Sequence, residues 1–338
     1  MFTGPSWISG ECKGARMTTE IPSRILSPER SAAKTGRVRS HLRRALRSWQ
    51  LYVLLTPAVV YIILFKYWPM YGAQIAFRDY NPADGFAGSP WVGLEHFIRF
   101  IESFQFERLL VNTLTVNALG LLLAFPVPII LALIVNQLQS ERFKKLTQTV
   151  LYSPSFISVV VVVGMIHLLF SPRSGIVNNA IVTFGGDPIF FMGSPDWFRP
   201  LYIGSDIWQT AGFSMIVYLA ALTAIDPALH EAARVDGANK WQRIRHIDIP
   251  GIMPVIPILV ILAIGNLFHL GFEKVLLMQT DLNLPTSEVI QTYVYKAGLQ
   301  QAQFSYSAAI GLFNSLINLV LLLTFNWVAR RSGQSSLW

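Results

Sequence analysis

Residues 226–250 carry the most ordered pattern in the chain and read DPALHEAARVDGANKWQRIRHIDIP. Asp226 followed by Pro227 is typical of a helix start, because an Asp side chain caps free backbone amides and proline fits the first helical position. The alanines that follow favour helix, whereas Gly237 permits a sharp turn. We therefore predict two short helices joined at Asp236 and Gly237.

Long apolar stretches lie on both sides of this loop. Hydrophobic residues make up 52% of the 338 positions and charged residues only 14%, whereas a soluble domain carries about 25% charged residues. A run of roughly 20 apolar residues can cross a bilayer as a helix. The sequence therefore predicts an all-α membrane protein with about six transmembrane helices. The six stretches run approximately over residues 49–68, 109–135, 150–170, 201–225, 251–270 and 307–328.

The positive charges predict the orientation of these helices. Of the 27 Lys and Arg residues, 19 fall on the side of the membrane that holds the N-terminus and 8 on the other side. Because cytoplasmic loops carry an excess of Lys and Arg, we predict that both termini and the loop 226–250 are cytoplasmic. The same distribution explains the net charge of +8 without a nucleic-acid partner.

The first 48 residues differ from the rest of the chain. They contain ten Lys or Arg residues and show no apolar periodicity before Trp49. Such a segment cannot bury enough apolar surface to offset the entropy of ordering it. We therefore predict a mobile basic cytoplasmic tail over residues 1–48, in which residues 35–47 could form a basic helix on anionic lipid, and a transmembrane domain over residues 49–338.

The motif in the loop resembles the EAA loop of binding-protein-dependent ABC importer permeases, and we call residues 226–250 the EAA loop. Its elements are Glu231-Ala232-Ala233, Asp236-Gly237-Ala238, Ile247 and Pro250. The family often has Phe where this chain has Ile244, which is a mild departure. Further segments resemble the oligosaccharide and polysaccharide branch of maltose-type permeases, to which an alginate-type polysaccharide importer would belong. These segments are 71–82, 91–97, 271–277 and 293–299.

This resemblance implies a type I ABC importer permease fold with a cytoplasmic coupling helix. It implies a permease subunit that moves an oligosaccharide or polysaccharide across the cytoplasmic membrane of a bacterium. The implied partners are a homologous second permease, a dimer of ATPase subunits and an extracytoplasmic solute-binding protein, all at the lipid bilayer. The residues implied to couple this chain to the ATPase are Glu231, Ala232, Ala233, Arg234, Asp236, Gly237 and Ala238.

No catalytic role is expected for this chain. The sequence contains no GxxxxGK[ST], HExxH or GxSxG pattern, so we expect neither a P-loop nor a metalloprotease or hydrolase site. The resemblance places ATP and Mg²⁺ on the separate ATPase subunits, and we expect no cofactor or metal on this chain.

Polar and aromatic residues in the fourth and fifth stretches are candidates for a substrate path. Polar groups inside a bilayer are costly unless they find a partner or a water-filled path. Aromatic rings can stack on sugars and amides can bond to hydroxyl groups, although the same residues could instead hold helices together. The candidates are Trp208, Gln209, Thr210, Phe213, Asn266 and His269.

Two other classes of protein have the same composition. A secondary transporter or channel driven by an ion gradient often uses buried acids, and here the only acid near a predicted helix is Asp206, which we place close to its end. A membrane-embedded glycan or lipid enzyme would need paired carboxylates or a metal cluster, whereas the acids between the predicted helices are scattered.

Overall fold

The computed structural model describes residues 49–265 and 271–331, and these residues are predominantly helical. The internal contacts divide the chain into two units, with the boundary between Pro69 and Met70. The predicted tail over residues 1–48 lies outside the described residues.

In the first unit, helix α1 spans Trp49–Ile62 and continues into a π-helical turn over Ile63–Tyr67. Its sequence is almost entirely apolar, and no side chain of α1 is buried. A 3-10 helical segment over Trp68–Phe77 follows, and most of its residues belong to the second unit. The whole run Trp49–Phe77 is long and apolar enough to cross a membrane.

The second unit contains the remaining helices. They are α2 (Gly85–Gly88), α3 (Glu95–Ile101), α4 (Phe106–Ala124), α5 (Pro126–Asn136), α6 (Glu141–Tyr152), α7 (Val159–Leu169), α8 (Ile176–Thr183), α9 (Pro195–Thr223), α10 (Pro227–Val235), α11 (Lys240–Arg243), α12 (Ile249–Ile252), α13 (Ile256–Gly265), α14 (Phe272–Met278), α15 (Leu284–Ser287), α16 (Ile290–Tyr295) and α17 (Phe304–Arg331). An isolated antiparallel bridge joins Arg78 and Trp91.

Among the described residues, three runs can each cross a membrane as they stand, and the number reaches six if each of three bent helix pairs is one crossing. The uninterrupted runs are Trp49–Phe77, Phe106–Asn136 and Phe304–Val328. The predicted all-α membrane fold is therefore confirmed.

The prediction of one continuous helix over residues 150–170 is wrong. The segments Glu141–Phe156 and Val159–Leu169 meet at an angle of 96°. Pro154 lies in a 3-10 turn before this bend, and the Ser158 side chain accepts a hydrogen bond from the Val161 amide, which starts a new helix. The second helix has 11 residues and is about 16 Å long, roughly half of the bilayer core.

The long helix α9 is the central element of the second unit. It packs against α4, α5, α6 and α15. Where it crosses the end of α6, a Cβ atom on Gly212 would overlap the carbonyl group of Leu151. Glycine at this position therefore lets the two backbones touch. The C-terminal half of α9 forms an apolar cluster with α5 and α12, which includes Met215, Tyr218 and Ile252.

Candidate functional site

The first helix of the EAA loop begins as the sequence predicts. The Asp226 side chain accepts a hydrogen bond from the Ala228 amide at 2.9 Å, and Pro227 occupies the first turn of α10. The cap satisfies one of the amides that a helix start leaves free. The EAA loop therefore leaves α9 through a defined turn, and the axes of α9 and α10 meet at 70°.

A glycine turn joins the two helices of the loop. Gly237 has a φ angle of +79°, which L side chains rarely adopt. Its amide donates to the Arg234 carbonyl at 3.1 Å, and the Ala238 amide donates to the Ala233 carbonyl at 2.8 Å. This pair of bonds is a Schellman motif. The predicted junction at Asp236 and Gly237 is confirmed.

The second helix of the loop has its own cap. The Asn239 side chain accepts from the Gln242 amide at 2.8 Å, and the Gln242 side chain accepts from the Asn239 amide at 2.8 Å. These reciprocal bonds are a capping box. The helix then passes through a π-helical turn over Ile244–Asp248 directly into α12. Every bend of the loop is thus fixed by hydrogen bonds between near neighbours.

The residues predicted to contact the ATPase lie on the surface of this helix pair. Ala233 and Ala238 are partly buried, and the other five residues of that set are exposed. Large apolar side chains beside them are also exposed, with Val235 at 88% and Trp241 at 69% of their full accessibility. Ala233, Gly237 and Ala238 line a shallow concavity of about 360 Å³.

A buried carboxylate fastens the EAA loop to the helix bundle. Asp248 is fully buried. Its Oδ2 accepts a hydrogen bond from the Gln137 side chain at the end of α5 at 2.9 Å, and its Oδ1 lies 3.4 Å from His230 Nε2 on α10. Burial raises the pKa of the Asp248 carboxyl, while His230, Arg243 and the Gln137 hydrogen bond oppose that rise. This contact was not predicted, although an acid between two isoleucines, Ile247 and Ile249, was its signal in the sequence.

A cavity of about 880 Å³ lies among α4, α5, α9 and α13. One face of α9 contributes side chains at helical spacing, and we call this set the cavity face of α9. Its members are Tyr202, Asp206, Thr210, Phe213, Ser214 and Val217. It combines aromatic rings, hydroxyl groups and one carboxylate. Of the residues predicted for a substrate path, the structure brings Thr210 and Phe213 to this cavity.

The other candidates for the substrate path fall elsewhere. Trp208 is 48% exposed and is not among the residues that line the cavity. Gln209 is buried and donates to the Ile157 carbonyl at 2.8 Å, so it holds α9 against the start of α7. This contact is the helix-joining role that the sequence left open for such residues. Asn266 and His269 lie outside the described residues.

An ion pair borders the cavity. Asp206 lies near the middle of α9, because that helix begins at Pro195, so the expectation that this acid sits close to a helix end is wrong. Lys274 Nζ on α14 lies 3.5 Å from Asp206 Oδ1 and 3.5 Å from Gln209 Oε1. It also lies 5.8 Å from the centre of the Tyr202 ring. The Lys274 side chain is 2% exposed and that of Asp206 is 29% exposed.

A bundle of apolar helices with an internal cavity and an ordered, exposed helical loop defines a membrane transport subunit. A family model described as "Binding-protein-dependent transport system inner membrane component" matches residues 118–334. The chain belongs to this family, and it is therefore a multi-pass permease of the inner membrane. This membership sets aside the ion-gradient-driven transporter and the membrane-embedded enzyme.

Individual relatives agree with this assignment. The chain is 46% identical to the polygalacturonan/rhamnogalacturonan transport system permease protein YteP of Bacillus subtilis (strain 168) over 297 residues, which cover 88% of this chain and 92% of that protein. It is 40% identical to protein LplB of the same organism over 318 residues, or 94% of this chain and 99% of that protein.

Solved structures give the same result. The chain superimposes with a TM-score of 0.80 and 42% identity on a chain of a bacterial ABC transporter involved in the import of the acidic polysaccharide alginate, covering 86% of this chain and 99% of that chain. A second structure, of a bacterial alginate ABC transporter with an alginate pentasaccharide-bound periplasmic protein, matches with a TM-score of 0.80 and 41% identity, covering 87% and 99% of the two chains.

Proposed function

We propose that this permease imports an oligosaccharide or polysaccharide that an extracytoplasmic binding protein delivers. The support is that relatives above 40% identity carry names for polygalacturonan, rhamnogalacturonan and alginate transport. We further propose that it pairs with a homologous second permease and with two ATPase subunits. ATP and Mg²⁺ then bind to the ATPase subunits, and this chain needs no cofactor of its own.

The geometry of the EAA loop is the observation that carries the proposal of an ATP-driven importer, because it provides a docking surface for the ATPase. The caps at Asp226 and Asn239 and the glycine turn at Gly237 hold two helices in one fixed arrangement. Exposed apolar side chains beside this arrangement suit a docking partner. A stiff helix pair that leaves α9 and enters α12 can pass a movement of the ATPase to both membrane helices.

The cavity suits a sugar as the transported molecule. Its volume of about 880 Å³ is in the range of about 300–1,000 Å³ typical of ligand sites. The aromatic ring of Phe213, which is 55% exposed, can stack on the apolar face of a pyranose ring. The Thr210 and Ser214 hydroxyl groups and the Asp206 carboxylate provide polar contacts for its hydroxyl groups.

The proposed orientation places both termini and the EAA loop in the cytoplasm. It is tested by single cysteines, Lys240→Cys in the EAA loop and Trp91→Cys between the first two predicted crossings, each in a background with Cys12→Ser. A membrane-impermeant maleimide added to spheroplasts should label position 91 and leave position 240 unlabelled until the membrane is opened. The reverse pattern would invert the topology.

The function itself is tested by purification and reconstitution. The chain is co-expressed with a candidate second permease, ATPase and binding protein from the same genome, and the complex is placed in proteoliposomes. We expect ATP hydrolysis and uptake to rise with binding protein loaded with a galacturonan or alginate pentasaccharide. If the assembled complex hydrolyses ATP but takes up none of these saccharides, the substrate class is wrong.

A further inference from the structure

Among the described residues that line the cavity, Asp206 is the one that carries a charged group. A carboxylate within a membrane helix costs free energy, and such residues mark functional positions and have a nearby partner. Here the partner is Lys274, whose Nζ faces Oδ1 at 3.5 Å. Within residues 49–265 and 271–331, no hydrogen bond reaches the second oxygen, Oδ2.

The two members of this ion pair differ in access to the cavity. Lys274 is 2% exposed and is not among the residues that line the cavity, so its ammonium group is shielded from a ligand there. Asp206 is 29% exposed and lines the cavity. The lysine therefore offsets the charge of the carboxylate from the protein side and leaves a free acceptor on the cavity side.

We propose that Asp206 is a substrate-contacting residue whose carboxylate accepts hydrogen bonds from hydroxyl groups of a sugar ring in this cavity. Lys274 is the positioning residue that keeps the carboxylate in place. This inference rests on the proposed saccharide function and adds to it the residue and the part of the sugar that is recognised.

The neighbours of Asp206 fit this chemistry. A carboxylate is an acceptor only, so it bonds to hydroxyl groups and repels another carboxylate. The Thr210 hydroxyl donates to the Asp206 backbone carbonyl at 2.8 Å, which leaves its oxygen free to accept. Phe213 lies one turn from Thr210 and two turns from Asp206 on the same face. An acidic sugar would therefore turn its hydroxyl groups, and not its carboxylate, toward this subunit.

A purely structural role for Asp206 makes a different prediction. If the acid served only to neutralise the buried lysine, removing both charges together would restore function, because the loss of one partner alone leaves a buried charge unpaired. The informative variants are therefore Asp206→Asn and the double variant Asp206→Asn with Lys274→Met. Asp196→Asn, an exposed acid in the first turn of α9, is the matched control.

The measurement is uptake per ATP hydrolysed in proteoliposomes at saturating binding protein, loaded with galacturonan pentasaccharide. We expect this ratio to fall at least tenfold in Asp206→Asn and in the double variant, since a hydrogen bond to a charged group is stronger than one between neutral groups. The control variant should match the wild type. All variants must reach the membrane at wild-type levels, which western blotting checks.

A second measurement ties the loss to the sugar hydroxyl groups. Each hydroxyl group of the pentasaccharide is removed in turn to give a set of deoxy derivatives. For one of them, the wild type should show several-fold lower uptake than for the parent sugar. The Asp206→Asn variant should take up that derivative as well as it takes up the parent sugar. Recovery of the double variant to within twofold of the wild type, or a deoxy penalty that is the same in both proteins, would overturn the proposal. If the wild type takes up no saccharide, it is the proposed function that fails instead.

Discussion

The EAA loop and the cavity face of α9 are held in place by contacts of different range. In the loop, the bonds that set its shape join residues two to five positions apart, as at the Asp226 cap, the glycine turn and the Asn239 capping box. The helix that carries the cavity face, α9, is held by bonds to distant residues: Gln209 bonds to Ile157, 52 positions away, and Asp206 pairs with Lys274, 68 positions away. The loop can therefore keep its form while the bundle around it moves, whereas the cavity changes whenever α7, α9 and α14 shift.

This difference suits a subunit that converts movement at one site into access at another. A locally stabilised loop transmits force as a unit, while a cavity assembled from distant segments opens or closes with small helix displacements. The buried Asp248 joins the EAA loop to the end of α5, a helix that also lines the cavity.

The largest effect is expected where distant backbones touch. Gly212→Ala would drive a methyl group into the Leu151 carbonyl and separate α9 from α6. Overpacking of this kind costs about 1–3 kcal/mol and here distorts the cavity side of the bundle. We expect low membrane levels and a reduced melting temperature of the purified complex.

The matched control is Gly204→Ala on the same helix, where a Cβ atom meets nothing within 4 Å. It should be neutral or slightly stabilising, because alanine favours helix over glycine. Equal behaviour of the two variants would show that the close crossing of α9 and α6 is not needed for the fold.

The next effect is expected in the EAA loop. Gly237→Leu forces a branched side chain into a φ of +79°, which costs about 1–2 kcal/mol for an L-residue. It also places that side chain on the exposed face predicted to meet the ATPase. We expect the variant to reach the membrane and pair with the second permease, but to lose the ATPase or its stimulation by the binding protein.

Pull-down of the ATPase and uptake measured in the same cells provide the test. Gly237→Asn is the control, because asparagine tolerates a left-handed backbone better than other side chains. A Gly237→Leu protein that retains the ATPase and transports at the normal rate would show that the EAA loop is a membrane-surface hairpin and not the coupling element.

These two regions also show how far the sequence alone predicts the molecule. The helix pair of the EAA loop was predictable because Asp226, Pro227 and Gly237 act through their own backbone neighbours. The bend near Pro154 and the position of Asp206 near the middle of α9 were not predictable. Hydropathy does not show where an apolar run breaks or how far a helix extends beyond that run. The pairing of Lys274 with Asp206 depends on chain folding over 68 positions, which no local pattern encodes.

A smaller effect should follow loss of the second cap. Asn239→Ala removes the side-chain acceptor for the Gln242 amide, and loss of such a cap costs about 1 kcal/mol. Hydrogen–deuterium exchange at the amides of α11 should become faster, and coupled ATP hydrolysis should fall modestly. Asn239→Asp keeps the cap and should behave as the wild type. Unchanged exchange in the alanine variant would mean that α11 is stabilised by its contacts and not by its cap.

The smallest expected effect is a pH dependence that Asp248 imposes on the link between the EAA loop and α5. Burial raises the pKa of this carboxyl, so the native protein takes up a proton at a higher pH than the unfolded chain does. A native state that binds more protons gains stability as the pH falls, and loses it again as the pH rises through the raised pKa. His230 and Arg243 face the same carboxyl and oppose the shift, which keeps this pH dependence small.

Asp248→Asn removes the titrating group while its side-chain oxygen can still accept the hydrogen bond from Gln137. The melting temperature of the wild-type complex, measured in steps from neutral pH downward, should therefore rise relative to that of the variant by about 2 °C. His230→Gln in the wild-type background removes the imidazole that opposes the pKa shift of Asp248 and should enlarge the rise in melting temperature. Parallel curves for the wild type and Asp248→Asn would show that this carboxyl does not titrate in that interval, and that the loop is joined to α5 by its hydrogen bond alone.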